Sequence, residues 1–166
     1  MQEQAGQQPL IDSRESFPFP RIVAINSQKL LAREGSNHPA PNIEMIWKDM
    51  TDSASGFYSR IEDGGEPFRK AMEKVFRSIN LSADERRMYV EWCIEETGKR
   101  VDAIVGEKHR GSYNKAAALL VACAEMLGNR GGLKAGEDMI DTYRLKYSRH
   151  SAFQDELRNS IRAGKH

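Results

Sequence analysis

The sequence predicts an all-α fold, either an antiparallel helical bundle or a set of stacked helical hairpins, with five to six helices and a disordered N-terminal arm. Three observations lead to this prediction. All six prolines lie in the first 67 of the 166 residues, so the rest of the chain can form helices without interruption. Apolar residues recur every three or four positions from Asn42 onward. Short turn signals, several of them rich in glycine, separate the periodic segments.

The amino-terminal part of the chain has the least regular pattern. Residues 1–20 are polar and rich in glutamine, which predicts an arm that is disordered or loosely docked. Residues 22–33 fit either a short strand or a helix, and we favour a helix because no second strand candidate lies nearby. Residues 35–41 predict a loop or linker. We expect residues 21–166 to form a single helical domain.

Two helices are expected between Asn42 and Asn80. Asn42 is a candidate N-cap for the first, and the pair Gly64-Gly65 would end it. Pro67 lies near the start of the second, where its missing N–H does little harm. Asn80 would end that helix.

The third helix begins with a capping box, in which Ser82 and Glu85 would each satisfy a backbone amide of the first turn. Gly106 is a natural end. Gly98 lies inside this helix, where glycine is unfavourable by about 1 kcal/mol relative to alanine. A close crossing with another helix would explain its presence.

The segment from Ser112 to Leu127 has a centre, AAALLVACA, that is apolar on every face, as expected for a helix that its neighbours enclose. Its alanines would let those neighbours approach closely. Apolar residues from Met139 to Tyr147 mark a further helix. Ser151 can cap a last one, which carries Phe153, Leu157 and Ile161 on one side.

Composition excludes several classes of protein. With 25 Lys+Arg and 24 Asp+Glu, the chain is neither a uniformly basic nucleic-acid coat nor an acidic tail. We interpret Cys93 and Cys123 as buried apolar residues in a reducing compartment, and we predict a cytoplasmic protein. We expect no cofactor and no metal, because none of the four histidines has an acidic residue three positions before it.

Positive charge accumulates toward the carboxyl end. From His109 onward there are ten Lys/Arg and six Asp/Glu, a surplus of four. The basic residues Arg144, Lys146, Arg149, Arg158 and Arg162 could follow a phosphate backbone or an acidic protein. Alternatively, they complement the dipoles at helix ends.

Residues 100–160 resemble the closing helices of bacterial α-solenoid-like repeat proteins, some of which carry a SWIM-type zinc finger. The resemblance rests on Arg110, Tyr113, Ala116, Ala117, Leu120, Tyr147, His150, Ala152, Phe153, Glu156 and Leu157. It implies stacked helical hairpins of which this region is the terminal cap, and it implies no activity. This sequence has no Cys/His finger, so zinc and DNA binding do not carry over.

In such an ending Arg110 and Tyr113 stand at the start of the buried helix, where they either pack and pair locally or recognise a partner. The predicted partner-binding residues are therefore Arg110, Tyr113, Arg144, Lys146, Arg149, His150, Arg158 and Arg162.

The predicted function is that of a non-enzymatic helical module for protein–protein interaction, such as an adaptor. One alternative is an accessory subunit that binds the RNA or DNA backbone through the basic C-terminal face. The other is an enzyme with an all-helical site. The salt dependence of binding separates the first two, because phosphate contacts weaken steeply as salt rises.

Overall fold

The computed structural model describes residues 28–32, 40–58 and 66–164, and all regular structure in these ranges is helical. Helical residues 28–32, here α1, precede α2 (Pro41–Tyr58), α3 (Glu66–Ser78), α4 (Ala83–Gly106), a 3-10 turn (Arg110–Ser112), α5 (Tyr113–Asn129), α6 (Leu133–Lys146) and α7 (Ser151–Ala163). The predicted all-α bundle is confirmed. The arm predicted for residues 1–20, most of the linker and the Gly64-Gly65 stop lie outside the described residues.

The central element is α5, which contacts α2, α4, α6 and α7. From Ala116 to Asn129 every residue except Glu125 is buried. Small side chains allow this close enclosure. A Cβ added at Gly136 of α6 would lie 2.6 Å from the carbonyl oxygen of Ala124, so the two helix backbones nearly touch there. The prediction of an enclosed, alanine-lined helix is therefore confirmed.

Two apolar clusters lie on different sides of α5. The first joins α1, α2, α3 and part of α4 to α5, and it includes Trp47, Phe76, Cys93 and Cys123. The second joins the carboxyl half of α4 and the helices α6 and α7 to α5. It contains Val101, Val105, Tyr113, Ala116, Ala117, Leu120, Val121, Tyr147, Phe153 and Leu157.

Two sequence features of α4 have the predicted structural basis. The capping box is present, because the Glu85 amide donates to Ser82 Oγ at 3.3 Å and the Ser82 amide donates to Glu85 Oε2 at 2.8 Å. A Cβ at Gly98 would lie 2.7 Å from Tyr143 Oη, so glycine permits a close approach of α6 to α4. The side-chain amide of Gln28 in α1 also donates a hydrogen bond to Thr97 Oγ1 of α4 at 3.2 Å.

Two of the predicted N-caps are wrong. The helix α2 begins at Pro41, two residues earlier than an N-cap at Asn42 predicts, because proline suits the first helical position. Asn42 is then buried within the first turn, and its side chain bonds across to other helices. In α7 the cap position is His150, so Ser151 is the first helical residue, and no side chain makes a capping hydrogen bond.

Candidate functional site

Carboxylates neutralise most of the basic residues predicted to form the C-terminal face. The three ion pairs are Arg144–Asp141 at 3.1 Å, Lys146–Asp102 at 2.7 Å and Arg158–Asp155. Arg110, Arg149 and Arg162 are exposed and form no ion pair with another residue in the described part of the chain. The positive charge available to a phosphate backbone is therefore small and scattered.

The two ring-bearing residues of the predicted site belong to an aromatic cluster. Tyr113 is 3% exposed, and its ring lies edge-on to Phe153 at 6.0 Å. His150 is half-buried with its ring 5.3 Å from that of Tyr147, and the ammonium of Lys146 lies 5.6 Å from the same ring. The structure thus brings Lys146 and His150 together on Tyr147, while Tyr113 is a core residue.

Tyr147 joins this cluster to α4. Its hydroxyl donates a hydrogen bond to Asp102 Oδ1 at 2.7 Å. Burial, with the nearby carboxylate of Asp102, raises the pKa of Tyr147 above its usual value. The phenol therefore stays protonated and remains a donor, which is a structural role.

Neither cysteine has the surroundings of a nucleophile. Both thiols are buried, and burial raises the pKa of Cys93 and of Cys123 to about 12. They remain protonated at neutral pH. The described residues also contain no group of three or more His, Cys, Asp or Glu side chains arranged to hold a metal ion.

Part of the apolar surface of α3 is exposed in the portion of the chain that the structure describes. Phe76 is buried against Trp47 of α2, with the ring centroids 6.2 Å apart. Val75 and Ile79 lie one turn apart on the neighbouring edge of the same stripe, and Val75 is 50% exposed. The stripe of α3 is therefore wider than the surface that α2 covers.

The first ten residues of α4 carry further exposed apolar side chains. From Ala83 to Trp92 no residue is buried. Met88 lies four residues before the half-buried Trp92, and Tyr89 lies three residues before it, so the three share one side of the helix. Met88 is 56% exposed. Trp92 also packs against the first apolar cluster, and this contact holds the amino-terminal part of α4 against the bundle. We call Val75, Ile79, Met88, Tyr89 and Trp92 the α3–α4 surface.

The chain matches no family model, no curated protein and no solved structure. Within the described residues, no helix combines the length and the apolar character needed to cross a bilayer. The geometry of the surfaces themselves is therefore the basis for a functional proposal.

The α3–α4 surface was not predicted as a binding site, although the sequence contained a signal for it. Trp92 and Val101 are nine residues apart, which places them on opposite sides of a helix with 3.6 residues per turn. Two apolar sides on one helix indicate two separate contacts. Trp92 packs at the edge of the first apolar cluster, and Val101 lies in the second.

Proposed function

We propose that this chain is a non-enzymatic helical module that binds another protein through the α3–α4 surface. The observation that carries the proposal is the group formed by the exposed Met88 and Tyr89 and the half-buried Trp92 in the first ten residues of α4, none of which is buried. Methionine and aromatic residues are enriched in protein interfaces, and tryptophan and tyrosine are frequent binding hot spots. The partner we expect is a segment that presents the apolar side of an amphipathic helix.

The charges around this surface favour a protein partner over nucleic acid. Both signs are present, as with the exposed residues Lys74, Arg77, Asp84 and Glu91. An apolar contact with a mixed charged rim loses little affinity as salt rises, whereas binding through phosphates loses much. The ion pairs of Arg144, Lys146 and Arg158 further reduce the charge that a phosphate backbone could use.

Val75 and Met88 of this surface can be changed with little loss of core contact. Val75 and Met88 are at least half exposed, so the loss of buried area on substitution is small. A loss of binding in such variants then reports on the surface and not on unfolding.

Affinity capture with the full chain tests the proposal. The parent should retain a partner after nuclease treatment and at about 1 M salt, where the Debye length is about 3 Å. Met88→Glu and Val75→Glu should each abolish capture, because a carboxylate would have to be desolvated in the apolar contact. Leu145→Glu is the matched control, since Leu145 is 77% exposed on α6, and it should capture as the parent does.

Three outcomes would contradict the proposal. Capture that nuclease or high salt abolishes would favour the nucleic-acid alternative. Capture that survives both glutamate variants would place the interface elsewhere. Sedimentation of the parent as a dimer that Met88→Glu converts to a monomer would show that the surface serves a second copy of this chain.

A further inference from the structure

Gln28, the first residue that the structure describes, lies against α4. It is fully buried, and its side-chain amide donates to Thr97 Oγ1 at 3.2 Å. Thr97 follows Trp92 by five residues on the same helix, and both α1 and Trp92 pack on the first apolar cluster. Residues 1–27 therefore join the bundle beside the helix that carries the α4 part of the α3–α4 surface.

Residues 17–25 are the most apolar stretch outside the described ranges. Six of these nine residues are hydrophobic, namely Phe17, Phe19, Ile22, Val23, Ala24 and Ile25. Residues 1–16 contain four hydrophobic residues, 33–39 contain none, and 59–65 contain Ile61 alone. Among these stretches, 17–25 gains most from contact with an exposed apolar surface, because the free energy of burial follows the apolar area.

The chain between Phe19 and Gln28 is long enough to reach this part of α4. Nine residues separate the two, and at about 3.3 Å each they can span about 30 Å. Met88 lies nine residues before Thr97, which is about 14 Å along the helix axis and half-way around a helix about 10 Å across. The available span is longer than this path.

Two prolines reduce the entropic cost of docking. Phe17 and Phe19 each precede a proline, Pro18 and Pro20. Proline fixes its own φ and disfavours the helical conformation of the residue before it, so both phenylalanines favour an extended backbone. A segment restricted in this way loses less conformational entropy when it docks.

We propose that residues 17–25 pack on Met88, Tyr89 and Trp92 in the free protein, and that a protein partner displaces them. The rings of Phe17 and Phe19 supply the contact. The inference rests on the proposed function, because it assigns a regulator to the same surface. Since the two occupants exclude each other, the apparent affinity for the partner falls in proportion to the fraction of molecules whose surface is uncovered.

NMR spectra of the nitrogen-15-labelled full chain test the docking without a partner. Phe17→Ser combined with Phe19→Ser should shift the indole N–H signal of Trp92 and the neighbouring backbone amide signals of α4, because the two rings leave this surface. Gln7→Ser combined with Gln8→Ser is the matched control and should leave these signals unchanged. Unchanged α4 signals in the first double variant, or equal shifts in the control, would overturn the proposal.

Affinity capture tests the displacement. The chain with Phe17→Ser and Phe19→Ser should bind the partner about tenfold more tightly than the parent, the change expected if the surface is uncovered in about one-tenth of the parent molecules. Equal affinity of the two chains would contradict displacement.

The two experiments separate this inference from the proposed function. Capture that Met88→Glu abolishes, together with unchanged α4 signals in the double serine variant, would sustain the proposed function and overturn the inference. Shifted α4 signals without capture by either chain would support the docking of residues 17–25 and contradict the proposed function.

Discussion

Glu125 ties three helices together from a partly buried position on α5. Its carboxylate accepts hydrogen bonds from the backbone amides of Asn42 and Ile43 and from the Asn42 side chain, the last at 2.7 Å. The same side-chain amide donates to the carbonyl of Ser160 in α7 at 3.1 Å. Burial raises the pKa of Glu125 above its usual value, and the hydrogen bonds from α2 partly offset this rise.

This raised pKa predicts a pH dependence of stability. The folded protein holds the Glu125 proton more tightly than the unfolded chain, so its contribution to stability is full below the usual value of 4.5. That contribution is lost as pH rises through the folded pKa. In urea titrations, the free energy of unfolding of the parent minus that of Glu125→Gln should therefore fall as pH increases. A difference that stays constant or rises would contradict the assignment.

The thiols provide a second test at the residue scale. Cys93 and Cys123 are buried, and burial raises the pKa of each to about 12. At neutral pH we expect no alkylation by iodoacetamide in the folded protein and rapid alkylation of both residues in urea, measured by mass spectrometry. Labelling of either thiol in the folded protein at the rate seen in urea would contradict this environment.

At the scale of single elements, periodicity predicted which segments are helical but not what covers each side of a helix. For α5 the sequence predicts both the helix and its surroundings, because a segment apolar on every face must be enclosed. For α4 they differ, since Trp92 and Val101 lie on opposite sides and periodicity alone cannot tell a fully buried side chain, such as Val101, from a half-buried one, such as Trp92. The N-cap prediction at Asn42 was wrong because proline at position 41 already suits the first turn.

The crossing of α5 and α6 depends on a glycine whose role the sequence did not reveal. A Cβ on residue 136 would lie 2.6 Å from the Ala124 carbonyl oxygen, which is backbone and cannot move aside easily. We expect Gly136→Ala to lower the free energy of unfolding by about 2 kcal/mol, since an overpacking penalty of about 3 kcal/mol exceeds the helix preference of alanine, about 1 kcal/mol.

The matched control is Gly111→Ala, because no atom lies within 4 Å of a Cβ at that position. Its stability in thermal and urea melts should stay within about 0.5 kcal/mol of the parent. Equal stability of the two alanine variants would show that α6 does not approach α5 as closely as described.

At the scale of the whole molecule, the helix α5 forms a buried centre, and the first ten residues of α4 are much less buried. Residues of α5 join both apolar clusters, whereas the first ten residues of α4 contain no buried side chain. The sequence predicted that the alanine-lined helix α5 is enclosed by its neighbours. The partner-binding residues that it placed at the carboxyl end stay a prediction. There Tyr113 is buried and Arg144, Lys146 and Arg158 pair with carboxylates, which charge counts along a chain do not show.

This division of the molecule underlies the proposed function, because a surface with few core contacts can adapt to a partner while the rest of the bundle stays folded. Native-state hydrogen exchange tests the division most directly. The amides of α5 should exchange most slowly and only with global unfolding, while those of α3 and of residues 83–92 should exchange by local opening at lower free energy. Exchange of α3 and of residues 83–92 as slow as that of α5 would contradict the account.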